Sequence, residues 1–181
     1  MKRDEIHTID DVVSSQNYST LMKFVQHVPM TRVEKPSRRH SIADGFALDN
    51  IDPTVSDFLI ELCLDCAERA GFGDVQSSPW ERSAVSLKKY LEGDFHASHL
   101  DTNSISAVLM MAPAKSGGDT VFSGGRRVAA EANRLVLFRG SEMWHYVEPV
   151  LDGMKVCFVV NLYDSNLPIS RPFGTDELVY G

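Results

Sequence analysis

From Trp80 onward the chain breaks into short stretches of β-branched and apolar residues, about 83–91, 95–100, 105–111, 119–122, 126–130, 134–139, 143–149 and 154–162. Gly, Pro, Ser and Asn separate them. Parallel neighbours in one sheet need a crossover of about a dozen residues or more, usually a helix. No gap in this half has that length, so a doubly wound α/β sheet is excluded. An antiparallel barrel or jelly roll is expected instead.

The first half reads differently. Asp52-Pro53 is a helix N-cap followed by proline at the first helical position, and Val55, Phe58, Leu59, Leu62, Cys66 and Ala70 then share one face up to the stop at Gly71. This predicts an amphipathic helix over 53–70. A second helix is expected over 10–28, with Val12, Val13, Leu21, Met22, Phe24, Val25 and Val28 as its apolar set. Residues 29–50, rich in Pro, Ser, Asp and basic groups, read as a long loop. The expectation is a mainly β protein with N-terminal helices laid against one face of a two-sheet sandwich. With 181 residues it is one domain: 1–80 as helical and loop support, 81–165 as the β core, 166–181 as a tail.

Charge narrows the partners. The chain carries 18 basic and 25 acidic residues, a net −7, and residues 1–40 hold seven Lys or Arg against five Asp or Glu. A net-acidic surface disfavours nucleic acid. The run Arg32, Lys35, Arg38, Arg39 reads either as a solvated loop or as an anion contact. The three cysteines, Cys63, Cys66 and Cys157, fit a reducing compartment. The N-terminus has no signal-peptide pattern and the longest apolar run, Ala107 to Ala112, is far short of the roughly 20 residues a membrane span needs. A cytoplasmic protein with no membrane partner is expected.

His99-Leu100-Asp101 is the one His-x-Asp triplet. In a strand, residues i and i+2 point to the same side, so imidazole and carboxylate converge. His145 opens a later strand, Gly153 turns the chain, and Lys155 follows at a distance from which a hairpin returns to the same neighbourhood. Two histidines and one carboxylate form the facial set that holds iron(II) while leaving positions open for chemistry.

Residues 90–162 resemble the catalytic core of the iron(II)- and 2-oxoglutarate-dependent dioxygenases, in their prolyl 4-hydroxylase-like branch. The resemblance lies in Tyr90-Leu-Glu-Gly93-Asp-Phe-His-Ala-Ser-His99-Leu-Asp101, in Gly117-Gly118-Asp119-Thr120-Val-Phe122, and in His145 with Pro149-Val150, Gly153 and Lys155. It implies a double-stranded β-helix, the jelly-roll or cupin-like core. It also implies Fe(II), 2-oxoglutarate and O2 as cofactor and cosubstrates, with ascorbate as an accessory reductant. By the same resemblance His99, Asp101 and His145 bind iron, Lys155 pairs with the distal carboxylate of 2-oxoglutarate, Tyr90 offers its hydroxyl to that carboxylate, and Thr120 lines the cosubstrate pocket. The implied reaction is hydroxylation of a prolyl or other amino-acid or peptidyl side chain.

Some residues depart from that pattern. Asn161 stands where many members carry tryptophan six residues after the basic anchor, and Met110-Met111-Ala112 replaces a frequent Tyr-Leu-Asn. Two other readings remain open, a small-metabolite oxygenase of the same fold and a metal-binding jelly-roll sensor without catalysis. Lys155 separates the last of these, because a bare metal site needs no dicarboxylate anchor. Demethylation of nucleic acid expects two arginines soon after the second histidine, and none lies between His145 and Arg171.

The remaining candidates have plainer readings. Cys63-x-x-Cys66 has no second pair and belongs to the buried face of its helix. His96, at an odd spacing from His99, is expected on the opposite strand face, and His7, His27 and His40 lack partners at ligand spacing. Trp80 and Trp144 read as core or rim aromatics. The loop of residues 29–50 is expected to cover the barrel mouth, with Arg32, Arg38 and Arg39 favouring a substrate that bears a carboxylate.

Overall fold

The computed structural model describes residues 5–78 and 84–165; Trp80 and the expected tail at 166–181 lie outside the described residues. The elements run β1 (Ile6–Ile9), α1 (Ser15–Val25), β2 (Thr31–Lys35), β3 (Arg38–Ala43), α2 (Gly45–Asp49), α3 (Pro53–Arg69) and β4 (Val75–Ser77). Then follow β5 (Val85–Tyr90), β6 (Phe95–His99), β7 (Ile105–Ala112), β8 (Ser116–Gly117), β9 (Thr120–Phe122), β10 (Arg127–Val128), β11 (Leu135–Phe138), β12 (His145–Val147), β13 (Val150–Asp152) and β14 (Lys155–Asp164). Each of the eight expected stretches contains a strand.

α3 starts and stops as its sequence dictates. The Asp52 side chain accepts the Thr54 N–H at 3.0 Å, Pro53 opens the first turn, and Gly71 follows at φ +80°. Val55, Leu59, Cys63, Cys66 and Ala67 are its buried face, so both helix cysteines are core residues. α1 begins at Ser15, capped by Ser14, rather than at residue 10. Ile6–Ile9 is taken up as a strand against β11, and Asp11 at φ +50° turns the chain before the helix can form.

The expected loop of residues 29–50 is instead a β-hairpin, β2 and β3, followed by the short helix α2. Only Val33, His40 and Ala43 are buried along the hairpin, which leaves almost no apolar alternation to read. Backbone pairing holds it: β3 pairs with β5 through Ser41–Ala43 and with β6 through Arg38–Arg39. The first 78 residues thus supply four strands, β1 to β4, as well as helical support.

All strands but β8 and β13 form one curled 12-stranded sheet, in the order β1-β11-β7-β14-β5-β3-β6-β12-β9-β10, with β2 on β3 and β4 on β14. β13 pairs β8 separately. This is the mainly β, double-stranded β-helix architecture with N-terminal helices. On the outer face Val85, Leu87, Leu109, Leu135, Leu137, Phe158 and Val160 form one core with α1 and α3. The alternate residues of the same strands, among them Tyr90, Met110, Cys157, Val136 and Phe138, face inward. Among the described residues no helix is long and apolar enough to cross a membrane.

One corner positions the site. β5 and β6 both run antiparallel to the same edge of β3, with Lys89 opposite Ser41 and Phe95 opposite Arg39. Residues 91–94 loop out between them, and there the chain passes from the strands paired with β14 to those paired with β12. Asp94, 1% exposed, locks this excursion: it accepts the Leu91 N–H at 2.9 Å, both terminal nitrogens of Arg32, and Arg39 Nε at 3.1 Å. Burial works to raise the Asp94 pKa, but the Arg32 guanidinium, the Leu91 N–H and Arg39 bring it below the usual carboxylate value.

Candidate active site

β6 and β12 are adjacent antiparallel strands with His99 directly opposite His145. Asp101 follows β6, its backbone N–H donating to the Gly140 carbonyl at 2.9 Å. One ligand-type atom each of His99, Asp101 and His145 lies within 4.8 Å of the others. His99 Nε2 is 3.4 Å from one Asp101 oxygen and His145 Nε2 is 3.4 Å from the other.

Both ring tautomers are set by the backbone. Nδ1 of His99 donates to the Ala97 carbonyl at 2.8 Å, and Nδ1 of His145 donates to the Met143 carbonyl at 2.9 Å. A carbonyl can only accept, so each Nδ1 carries a proton and Nε2 is the atom that faces Asp101, the one a divalent cation would take. Burial holds His145 neutral by lowering its pKa, against the opposing field of Asp101. Burial would raise the Asp101 pKa, but the adjacent imidazoles and the Ser106 hydroxyl keep the carboxyl well below its ordinary range.

Ser106 and Asn103 complete the support around the carboxylate. Ser106 Oγ donates to Asp101 Oδ2, and Asn103, itself buried, donates to Ser106 Oγ at 2.8 Å and to the Ile105 carbonyl at 2.6 Å. Neither was singled out in the sequence, where a Ser and an Asn after a His-x-Asp triplet carry no periodic signal.

Lys155 does not come near the site by the hairpin route that its spacing from His145 suggested. β12 and β14 are not hairpin partners; β6, β3 and β5 lie between them in the sheet. Lys155 arrives instead through β5, directly opposite Tyr90. Its side chain is 1% exposed, its ammonium donates to the Gly118 carbonyl at 2.7 Å, and it lies 5.6 Å from the Tyr90 ring centroid. Gly118 sits at φ +77°, a conformation that favours glycine and turns its carbonyl to the lysine. Burial lowers the Lys155 pKa, and among the described residues no carboxylate is within ion-pair distance. A buried ammonium held by a carbonyl and a ring face fits an incoming carboxylate. Thr120 is partly buried on β9 opposite Val147, on the pleat side of Phe122, whose ring centroid is 5.9 Å from that of His145.

One histidine expectation is corrected. His96 is not on the opposite face; its ring stacks on His99 at 3.8 Å and 22°. The cause is a register shift: His99 pairs with His145 but His96 with Val147, so β6 carries one residue more than β12 and its alternation slips. His40, which lacked a sequence partner, is 2% exposed with its ring 5.2 Å from Tyr90 and 5.7 Å from His96. Burial, helped by the Lys88 charge, drives the His40 pKa down to about 3, and the same causes lower that of His96. The basic run is likewise reassigned: Arg32 and Arg39 are committed to Asp94 at the β5–β6 corner and are no free lid cations. Trp144 is a rim aromatic, 53% exposed.

Two histidines and one carboxylate at adjacent strand ends of a double-stranded β-helix form a donor set that could hold one divalent metal ion. No protein-family profile matches the sequence, and no curated protein matches it. Solved structures match its fold. A prolyl-4-hydroxylase from Pseudomonas putida aligns over 90% of this chain and 94% of its own at 17% identity, TM-score 0.66. A Trichoplax adhaerens prolyl hydroxylase in complex with a hypoxia-inducible-factor peptide aligns over 89% and 84% at 16% identity, TM-score 0.68. HygX from Streptomyces hygroscopicus, with nickel and 2-oxoglutarate bound, aligns over 99% and 91% at 10% identity, TM-score 0.68. The shared architecture is the double-stranded β-helix of prolyl 4-hydroxylases and related 2-oxoglutarate oxygenases.

Proposed function

We propose that the protein is an iron(II)- and 2-oxoglutarate-dependent dioxygenase that hydroxylates a carbon–hydrogen bond of an amino-acid, peptidyl or small-molecule substrate. The observation that carries this reading is the convergence of His99, Asp101 and His145 on one point of an inner face that also bears the buried Lys155. A metal sensor needs the three ligands but not the lysine.

The donor set fits iron(II): two imidazoles whose Nε2 atoms face one ionised carboxylate. When bound, iron and 2-oxoglutarate would supply the oxidising power, by coupling oxidative decarboxylation to dioxygen activation. The chain's residues do the rest. Ser106 and the Gly140 carbonyl hold Asp101 in place, and the Ala97 and Met143 carbonyls hold the rings. Lys155 and Tyr90 would take the distal carboxylate of 2-oxoglutarate, with Thr120 on the neighbouring wall. Met110, Val150 and Cys157, buried around Tyr90, keep water from that end.

Anaerobic titration with Fe(II) and then 2-oxoglutarate tests this reading. The wild type should bind one metal and then 2-oxoglutarate, with succinate formed on admission of air. Asp101→Ala should lose the metal while remaining folded. Lys155→Ala should keep the metal and bind 2-oxoglutarate at least ~10-fold more weakly, about the worth of one charge-assisted contact. Unchanged metal binding in the first variant, or unchanged 2-oxoglutarate affinity in the second, would overturn the corresponding assignment.

A further inference from the structure

Inward positions of a small β-barrel are normally filled by side chains that pack against one another. Lys88 breaks that rule. It lies on β5 between Ser86 and Tyr90, and strand alternation sends all three inward, while Val85 and Leu87 join the helix-side core. Its neighbours across the two ladders are Cys157 on β14 and Ile42 on β3. Lys88 is partly exposed, and among the described residues it makes no hydrogen bond and no ion pair.

Its charge is felt at the site. After burial, the Lys88 ammonium is the next influence lowering the His40 pKa, and it adds to the lowering of the Lys155 pKa. His40 on β3 packs beside Tyr90 and Lys155 on β14 lies opposite it, so Lys88, two residues before Tyr90 on the same strand face, borders the site. Two lysines, Lys88 and Lys155, therefore lie on one inner face, and like charges in a low-dielectric space repel unless anions join them.

We propose that Lys88 anchors a carboxylate of the substrate. This rests on the oxygenase reading above and names the substrate class for it. Asp101 is engaged by the two imidazoles and Ser106, and Lys155 sits beside Tyr90 at the cosubstrate end. With a divalent metal and dianionic 2-oxoglutarate in place, the charges of metal, Asp101, cosubstrate and Lys155 cancel, and Lys88 leaves one excess positive charge. An ammonium that no carboxylate of the described residues pairs suits a carboxylate of the substrate. Arg38 lies in the same inward series of β3 as His40 and Ile42, opposite His96, and adds positive potential on that side. The carboxylate has two natural sources, the α-carboxylate of a free amino acid and the side chain of an acidic residue in a peptide.

Saturation-transfer NMR on the Zn(II)- and 2-oxoglutarate-loaded protein separates them. One arm uses a mixture of the common L-amino acids against the matching amino-acid amides; the other uses blocked peptides centred on Glu against their Gln counterparts. In at least one arm the wild type should prefer the carboxylate by ~10-fold or more, and the arm that responds names the source. Lys88→Met should reduce that preference to within about twofold, and Lys88→Arg should restore part of it. The affinity for 2-oxoglutarate should be the same in all three proteins. Lys88→Gln replaces the methionine variant if circular dichroism shows the latter unfolded. A preference that survives loss of the lysine, or no carboxylate preference in either arm of the wild type, overturns the proposal. So does a tenfold loss of 2-oxoglutarate affinity in Lys88→Met, which would assign the lysine to the cosubstrate. If the wild type binds no 2-oxoglutarate in the presence of Zn(II), the oxygenase reading itself fails, and that result is distinct from the others.

Discussion

The Asp101 carboxylate occupies the space that a side chain at Gly140 would need. A Cβ built on Gly140 would lie 2.8 Å from Asp101 Oδ2 and 2.9 Å from Asp101 Cβ, and closer still to Ser106 Oγ. The Asp101 N–H donates to the carbonyl of the same glycine, so one residue fixes both the backbone and the carboxylate of the central ligand.

Gly140→Ala should therefore push the carboxylate off its position while leaving the sheet intact. Overpacking of this kind costs about 1–3 kcal/mol. Displacement of a ligand's support typically weakens metal binding by about 10- to 100-fold. Ni(II) titration beside urea unfolding checks both numbers. Wild-type Ni(II) affinity in the variant would mean that Gly140 does not place Asp101.

The Asp94 clamp holds the corner that brings Tyr90 and His99 to one cavity. Asp94→Ala leaves Arg32 and Arg39 facing each other without their carboxylate, at a cost near the low end of a broken buried pair because both arginines stay partly exposed, about 3 kcal/mol. Weaker 2-oxoglutarate binding should accompany it. Chemical denaturation and a 2-oxoglutarate titration on the same preparation measure the two effects; stability within ~0.5 kcal/mol of wild type would remove the clamp from the fold's support.

His40 gives a pH signature. In the unfolded chain its imidazole titrates near 6.5, and in the native protein burial takes it to about 3. Between those values the unfolded chain holds a proton the native protein does not, so stability rises with pH through this window and is lost as pH falls from 6.5 toward 3. Asp94, with its pKa lowered, adds its own loss only below about 3.8. Urea unfolding between pH 4.5 and 7.5 should show a smaller slope in His40→Gln, by close to one proton. An unchanged slope would place the titrating group elsewhere.

The strands of the second half were legible because each has enough β-branched and apolar residues between turn formers to reveal itself. α3 was legible because its cap, its proline and its terminal glycine are local signals. The motif spacing singled out His99, Asp101 and His145, whose ligand atoms converge within 4.8 Å. The hairpin of β2 and β3 was not, since its stability comes from backbone pairing with strands far along the chain and its side chains are mostly polar.

What the sequence determined by itself is therefore the kind of fold and the identity of the residues most able to hold a metal and a dicarboxylate, because those depend on local pattern and residue chemistry. Only the tertiary structure decided their surroundings. A one-residue slip in β6 stacks His96 on His99 against the rule of alternation, Asp94 gathers Arg32 and Arg39 at a corner, and β5 sets Lys88 on the same face as Tyr90. Each depends on which distant strand lies alongside and in what register, and strand pairing between segments far apart in the chain leaves no signature in either segment alone.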